Sequence, residues 1–145
     1  MTPALYDTDF NLWIEETAQS LKAGNFQELD LENLIEEIES MTRSDKREIV
    51  NRLKVLIMHL LKLRYQPHKK TRSWRTTINE QRDQIELVLE DSPSLKPYLA
   101  SKLDDCYQKA KRDAIAETKL PASAFPPECP FTQEQILDPD YFPNA

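Results

Sequence analysis

Glycine is nearly absent from this chain. Gly24 is the one glycine among 145 residues, whereas glycine makes up roughly 7% of an average protein. Tight turns between strands need residues with positive φ, which glycine adopts most readily. We therefore exclude a turn-rich β fold and expect an all-α protein. A single glycine also excludes Gly-rich phosphate-binding loops and the G-x-S-x-G motif of α/β-hydrolases.

Cysteine and histidine are also scarce. The chain has two cysteines, Cys106 and Cys129, and two histidines, and none of them shows the spacing of known zinc sites. No Glu-x-x-His pair of the kind that di-metal helical bundles use is present. We expect two reduced thiols, no metal and no cofactor.

Long apolar runs are missing as well. The most apolar stretch, residues 53–63, is interrupted by Lys54, His59 and Lys62, and it is far shorter than the roughly 20 residues that span a bilayer. No basic-then-apolar segment precedes Leu5, so we predict no signal peptide. We expect a cytoplasmic protein that does not contact membranes.

The apolar residues that are present recur with helical spacing almost throughout. This spacing predicts a bundle of about five main helices, with the first ended by Gly24 and the third ended by Pro67. For the first helix, Asp7 or Thr8 is the predicted N-cap. The predicted helices begin near Phe10, Leu31, Asp45, Ser73 and Leu95.

The C-terminal residues change in character. From Pro121 onward, prolines alternate with large apolar side chains, which are too many to be left in water. We predict an extended strap, residues 121–145, packed on a bundle of residues 1–120, with one short helix after Thr132. The whole chain, residues 1–145, would then be a single helical domain.

Charge is strongly segregated along the chain. Residues 49–79 contain eight basic and no acidic residues, whereas the rest contains 11 basic and 25 acidic residues. A segment of charge +8 therefore interrupts a chain whose net charge is −6. One interpretation is neutralisation by the acidic residues 28–45, facing the segment in an antiparallel bundle. The other is a surface that binds anionic partners.

The second interpretation defines a candidate binding surface. It combines basic side chains with aromatic ones that could stack on bases. Its residues are Lys62, Tyr65, His68, Lys69, Lys70, Arg72, Trp74 and Arg75. We predict a small binding or regulatory module, more readily than an enzyme, whose partner is a protein or a nucleic acid.

Arg52 and His59 are the candidate catalytic pair. Seven residues apart, they lie two turns apart on one side of a helix. The simpler interpretation is a histidine at the margin of the apolar face, bonded to a neighbour. The functional interpretation is an Arg–His pair in which His59 moves protons and Arg52 holds a phosphate.

Several strings together resemble a known bacterial family. They are the residues Leu5-Tyr6-Asp7, Asp9-Phe10 and Trp13, then DLENLIEEIESM from Asp30, HLLK from His59, YQP from Tyr65, SWRTTI from Ser73, LEDSPSLKPYL from Leu89 and AFPPECPFTQEQILD from Ala124. In these strings the chain resembles domain of unknown function 29, DUF29, which is common in cyanobacteria and some proteobacteria. The resemblance covers essentially the whole chain. It implies an all-α fold of this length and no established activity.

A second resemblance concerns two residues. Arg52 and His59 with six residues between them resemble the Arg-and-His motif of HEPN-class helical bundles, many of which are ribonucleases. The resemblance implies a metal-independent ribonuclease in which His59 is the general acid or base and Arg52 stabilises the transition state. Such a site would require a homodimer. A third hypothesis is a structural or assembly protein that self-associates through its charge asymmetry.

Overall fold

The fold is described from a computed structural model, which covers residues 4–66 and 72–143. Within these ranges the chain forms six α-helices and no strand, so the predicted all-α fold is confirmed. Four of the helices are long and two are short. They are α1 (Leu5–Thr8), α2 (Phe10–Ala23), α3 (Leu31–Tyr65), α4 (Arg72–Asp91), α5 (Lys96–Thr118) and α6 (Gln133–Leu137).

Helix α3 is one continuous helix of 35 residues. The predicted start of a separate helix after Ser44 is therefore wrong. The physical reason lies in the helical phase, because Leu31 and Ile49 are 18 residues, or five full turns, apart. The apolar positions before and after Ser44 thus lie on the same face, and no turn is needed to align them.

The helix ends follow local capping chemistry. Helix α2 begins after Asp9, whose carboxylate accepts a hydrogen bond from the Leu12 amide at 3.0 Å. The predicted caps Asp7 and Thr8 lie instead inside α1. Gly24 ends α2 with a φ of 77°, as predicted, because glycine adopts the left-handed conformation without a Cβ clash.

The chain divides into two compact units, Met1–Ser44 and Asp45–Ala145. In the first unit Trp13 is buried and contacts the rings of Tyr6 and Phe10, with centroid distances of 4.8 and 5.8 Å. The Tyr6 hydroxyl also donates a hydrogen bond to the carboxylate of Glu37 in α3. This contact places the N-terminal end of α2 beside the second turn of α3.

The second unit contains the main hydrophobic core. The predicted apolar face of residues 49–63 is its centre, because α3 contributes seven fully buried side chains. Helices α4 and α5 and the C-terminal segment pack around it. The buried residues contributed by α3 are Ile49, Leu53, Leu56, Ile57, Leu60, Leu61 and Leu63.

The C-terminal segment belongs to this core. Phe125, Phe131 and Ile136 are buried in the same cluster as the α3 residues. Helix α6 begins after Thr132, as predicted, and the structure adds a reciprocal capping box at this end. The Tyr107 hydroxyl of α5 donates a hydrogen bond of 2.6 Å to the carbonyl of Pro126. The extension of one domain over residues 1–145 stays a prediction.

Candidate functional site

Helices α3 and α4 run antiparallel through the second unit. The guanidinium of Arg52 donates a hydrogen bond to the side-chain oxygen of Gln81 at 3.1 Å. Further along α3, the Lys62 ammonium lies 4.9 Å from the centre of the Trp74 ring. The C-terminal end of α3 therefore lies beside the N-terminal end of α4.

Three exposed arginines lie in the helix turns on the two sides of this junction. Arg64 lies in the last turn of α3, and Arg72 and Arg75 lie in the first turn of α4. All three side chains are exposed. We call Arg64, Arg72 and Arg75 the basic corner. Their guanidinium groups can each bind a carboxylate or phosphate through two parallel hydrogen bonds.

Lys62 is engaged inside the protein. Its side chain is only 12% exposed, and its ammonium forms an ion pair of 2.9 Å with Glu117 of α5. The same ammonium lies over the ring of Trp74, which is itself half-buried. Lys62 and Trp74, both predicted to bind a partner, thus contact each other and join α3, α4 and α5.

Tyr65 also has an internal role. Its ring is half-buried and meets the ring of Phe125 edge-on at 5.2 Å, an arrangement that stabilises aromatic pairs. The guanidinium of Arg64 lies 5.9 Å from the same ring. Tyr65 and Trp74 are thus both half-buried and engaged in internal contacts, whereas rings that stack on nucleic-acid bases are exposed.

The C-terminal segment supports the basic corner from the α4 side. The guanidinium of Arg75 lies 4.4 Å from the centre of the Phe142 ring, which is a favourable cation–π distance. This contact restrains Arg75 while its charge stays exposed to solvent. Three further predicted binding residues, His68, Lys69 and Lys70, lie outside the described residues.

The candidate catalytic pair is not brought together within this chain. Arg52 forms an ion pair of 2.9 Å with Glu48 in addition to its bond to Gln81. His59 lies about 10 Å further along the helix axis, given a rise of 1.5 Å per residue. Its Nδ1 donates a hydrogen bond of 2.8 Å to the carbonyl of Val55. A joint catalytic role of Arg52 and His59 stays a prediction.

The environment of His59 favours its neutral form. Partial burial of the imidazole ring lowers the pKa of His59 below the usual 6.5, and the nearby ammonium of Lys62 acts in the same direction. The bond to Val55 and the charge of Glu117 oppose this shift. Because Nδ1 carries the proton in that bond, Nε2 holds the free lone pair of the neutral ring.

Arg82 is a buried polar residue that the sequence reasoning missed. Only 4% of it is exposed, and it donates hydrogen bonds to the carbonyls of Ile136 at 2.8 Å and Gln135 at 3.1 Å. These carbonyls belong to the last turn of α6, where a positive charge is favourable. The signal was present, because Arg82 lies four residues after Ile78 and three before Ile85, within the apolar face of α4.

Arg82 also borders a cleft of about 360 Å³ between α4 and the segment after α6. The wall of the cleft is mixed, with apolar side chains, two basic groups and two carboxylates. Burial lowers the pKa of Arg82, and Asp138 opposes this shift. The residues that line the cleft are Arg82, Ile85, Glu86, Leu89, Glu90, Lys96, Leu137 and Pro139.

The two cysteines are packing residues. Cys106 is buried and Cys129 is half-buried, and both are free thiols. Burial raises the pKa of each thiol, which lowers the fraction of reactive thiolate. Among the described residues, no three His, Cys, Asp or Glu side chains converge in a way that could hold a metal ion. Within those ranges, no helix combines the length and apolar character that crossing a membrane requires.

Comparison with known proteins identifies one family. The family model described as "Domain of unknown function DUF29" matches residues 5–142, which is nearly the whole chain. No curated protein and no solved structure matches the chain significantly.

Proposed function

The chain belongs to the DUF29 family, and because that description names no activity, we propose a function from the geometry of this chain. We propose that it is a small binding module whose basic corner docks an acidic segment of a partner protein. The proposal requires no catalysis. The observation that carries it is the presence of three exposed arginines in the two helix turns that adjoin at the junction of α3 and α4.

The position of these arginines favours binding over internal pairing. The carboxylate of Glu117 is already partly neutralised, because it forms an ion pair with the neighbouring Lys62. Arg64 and Arg75 each lie against an aromatic ring, and such contacts reduce the conformational entropy that an arginine loses on binding. An acidic partner would therefore meet guanidinium groups that the aromatic contacts restrain and that remain available for binding.

The aromatic residues favour a protein partner over a single-stranded nucleic acid. Sequence-tolerant binding of single strands combines basic grooves with aromatic rings that stack on bases. Here the rings of Tyr65 and Trp74 contact Phe125 and Lys62, respectively. Carboxylates need only the guanidinium groups, which are exposed.

A titration with a defined acidic ligand tests this proposal. A fluorescein-labelled decaglutamate peptide is added to the full chain, and binding is followed by fluorescence anisotropy at about 50 mM and about 200 mM NaCl. The triple variant Arg64→Glu, Arg72→Glu, Arg75→Glu should bind at least about tenfold more weakly than wild type at the lower salt concentration. Wild-type binding should weaken as salt screens the charges.

The matched control reverses three exposed basic residues elsewhere in the second unit. The variant Arg47→Glu, Lys109→Glu, Arg112→Glu has the same net charge as the corner variant. It should bind the peptide nearly as well as wild type. Equal weakening by both variants would show a net-charge effect and overturn the proposal. Loss of binding to a labelled oligouridylate in the corner variant, without any peptide binding by wild type, would identify nucleic acid as the ligand instead.

A further inference from the structure

Exposed apolar side chains are concentrated in the first unit. Among the described residues, ten large hydrophobic side chains are exposed, and nine of them lie between residues 10 and 41. Contiguous apolar patches on soluble proteins mark interaction sites. The nine are Phe10, Leu12, Ile14, Leu21, Phe26, Leu31, Ile35, Ile38 and Met41.

The α3 part of this patch is a regular stripe. Leu31, Ile35, Ile38 and Met41 follow one another at intervals of four, three and three residues, and each is 52–68% exposed. These intervals place them on one helix face. Leu31 is in phase with Ile49, which is completely buried. The same helix face is therefore core after Ser44 and exposed before it.

Helix α2 adds further exposed apolar side chains to the first unit. Ile14 follows the buried Trp13 by one position, and Ile38 follows Glu37, which binds Tyr6. Each isoleucine is thus turned by about 100° from an inward-facing residue. Both α2 and the first part of α3 therefore carry an exposed isoleucine next to a residue that makes internal contacts. We call the exposed stripe of Leu31, Ile35, Ile38 and Met41 on α3 the apolar face.

The first unit is strongly acidic. Residues 1–44 contain ten acidic and two basic residues, a formal charge of −8. Glu32 and Glu39 are exposed on α3, next to Ile35 along the helix surface. Glu36 and Glu39 both approach Arg43, at 2.7 and 4.0 Å. With two basic residues for ten acidic ones, most of the carboxylates in the first unit have no basic residue of that unit to pair with.

We propose that the apolar face binds a basic amphipathic helix of a partner protein. The apolar side of such a helix would cover the isoleucines, and its Lys and Arg residues would meet the acidic side chains along the rim, as in helix-in-groove recognition. A second copy of the chain is disfavoured as occupant, because it would bring another unit of charge −8 to the same face. This surface shares no residue with the basic corner.

The proposal is tested with a synthetic helix of defined chemistry. The probe is a fluorescein-labelled peptide of about 18 residues, five helical turns, with leucines on one face and lysines on the other. A scrambled peptide of the same composition is the second probe. Fluorescence anisotropy with the full-length chain should show binding of the first peptide, and binding of the scrambled peptide at least about tenfold weaker.

Two variants locate the binding surface. The variant Ile35→Ser, Ile38→Ser should bind the amphipathic peptide at least about tenfold more weakly. Leu87→Ser is the matched control, because Leu87 of α4 is 54% exposed and Ile38 is 58% exposed. All substituted side chains are exposed, so circular dichroism should show unchanged helicity.

Three outcomes would overturn the proposal. Equal affinity of the Ile35/Ile38 variant and wild type would place the peptide elsewhere. Equal binding of the scrambled peptide would show attraction by charge alone. Sedimentation of wild type as a dimer that the Ile35/Ile38 substitutions dissociate would identify a second copy as the occupant.

Discussion

Replacing Arg82 with methionine should lower the free energy of unfolding by about 2–3 kcal/mol. Arg82 is nearly fully buried and joins α4 to the last turn of α6 through the carbonyls of Gln135 and Ile136. Methionine has a similar length and flexibility, and it fills irregular space in cores. The substitution therefore removes the hydrogen bonds while leaving little cavity.

The magnitude follows from the contacts of the guanidinium. A hydrogen bond to a charged group contributes about 1.5–3 kcal/mol, so that two contribute about 3–6 kcal/mol. One nitrogen, Nη1 of Arg82, is buried without a hydrogen-bond partner among the described residues, which costs about 1–3 kcal/mol in the native protein. Methionine removes both contributions, and the difference between the centres of the two ranges is a loss of about 2–3 kcal/mol.

Urea unfolding followed by far-ultraviolet circular dichroism measures this loss. The midpoint should decrease while the m-value stays unchanged, because the surface exposed on unfolding is nearly the same. Arg112→Met is the control, since that side chain is 70% exposed in α5, and it should change stability by less than about 0.5 kcal/mol. An Arg82→Met protein as stable as wild type would refute the reasoning, because it would show that desolvation of the guanidinium offsets its hydrogen bonds.

Three further predictions address the core, the histidine and a buried tyrosine. Leu56→Ala should lower the free energy of urea unfolding by about 2–5 kcal/mol through the cavity it leaves, whereas Leu87→Ala at an exposed site should change it by less than about 0.5 kcal/mol. Because burial lowers the pKa of His59 in the folded state, the unfolded state binds a proton first as pH falls from about 6.5. Stability should therefore fall from pH 6.5 down to the folded pKa, and His59→Gln should reduce the difference between unfolding midpoints at about pH 7.5 and about pH 5.5. Tyr107→Phe should cost about 1–3 kcal/mol in the same assay, because it leaves the carbonyl of Pro126 unpaired. Burial raises the pKa of Tyr107 to about 12, so the difference in absorbance at high pH between wild type and this variant should develop near that pH.

Much of the fold could be predicted because it depends on local patterns. The structure contains the helices that three sequence features predict. These features are the near-absence of glycine, the apolar spacing of residues 49–63 and the helix-ending residues Gly24 and Pro67. The break after Ser44 was predicted from a single serine resembling an N-cap. Capping preference contributes about 1 kcal/mol, whereas a helix that continues through Ser44 keeps the backbone hydrogen bonds that a break there would remove. The common helical phase of the apolar positions was therefore a stronger indicator than the capping preference of Ser44.

The candidate site was less predictable, because charge in a sequence does not reveal its partners. Lys62, Tyr65 and Trp74 were assigned to a binding surface on composition; each also contacts a residue distant in sequence, and their role in binding stays a prediction. Glu117, which pairs with Lys62, is 55 residues away along the chain. The role of Arg82 was missed for the opposite reason. The sequence shows an arginine at a core position of α4, but it does not show the acceptor carbonyls in α6.

The segregation of charge is a surface property rather than a means of internal pairing. Neutralisation of the basic segment by residues 28–45 would require the two stretches to face each other, but residues 31–45 and 49–65 are successive parts of α3. Within the described ranges, the ion pairs of the basic segment are Arg52 with Glu48 and Lys62 with Glu117, and neither carboxylate belongs to residues 28–45. Four of the six described basic residues of this segment, and most of the acidic residues of the first unit, therefore have no ion pair within the described ranges. This separation supports a module that offers one surface to an acidic segment and another to a basic helix.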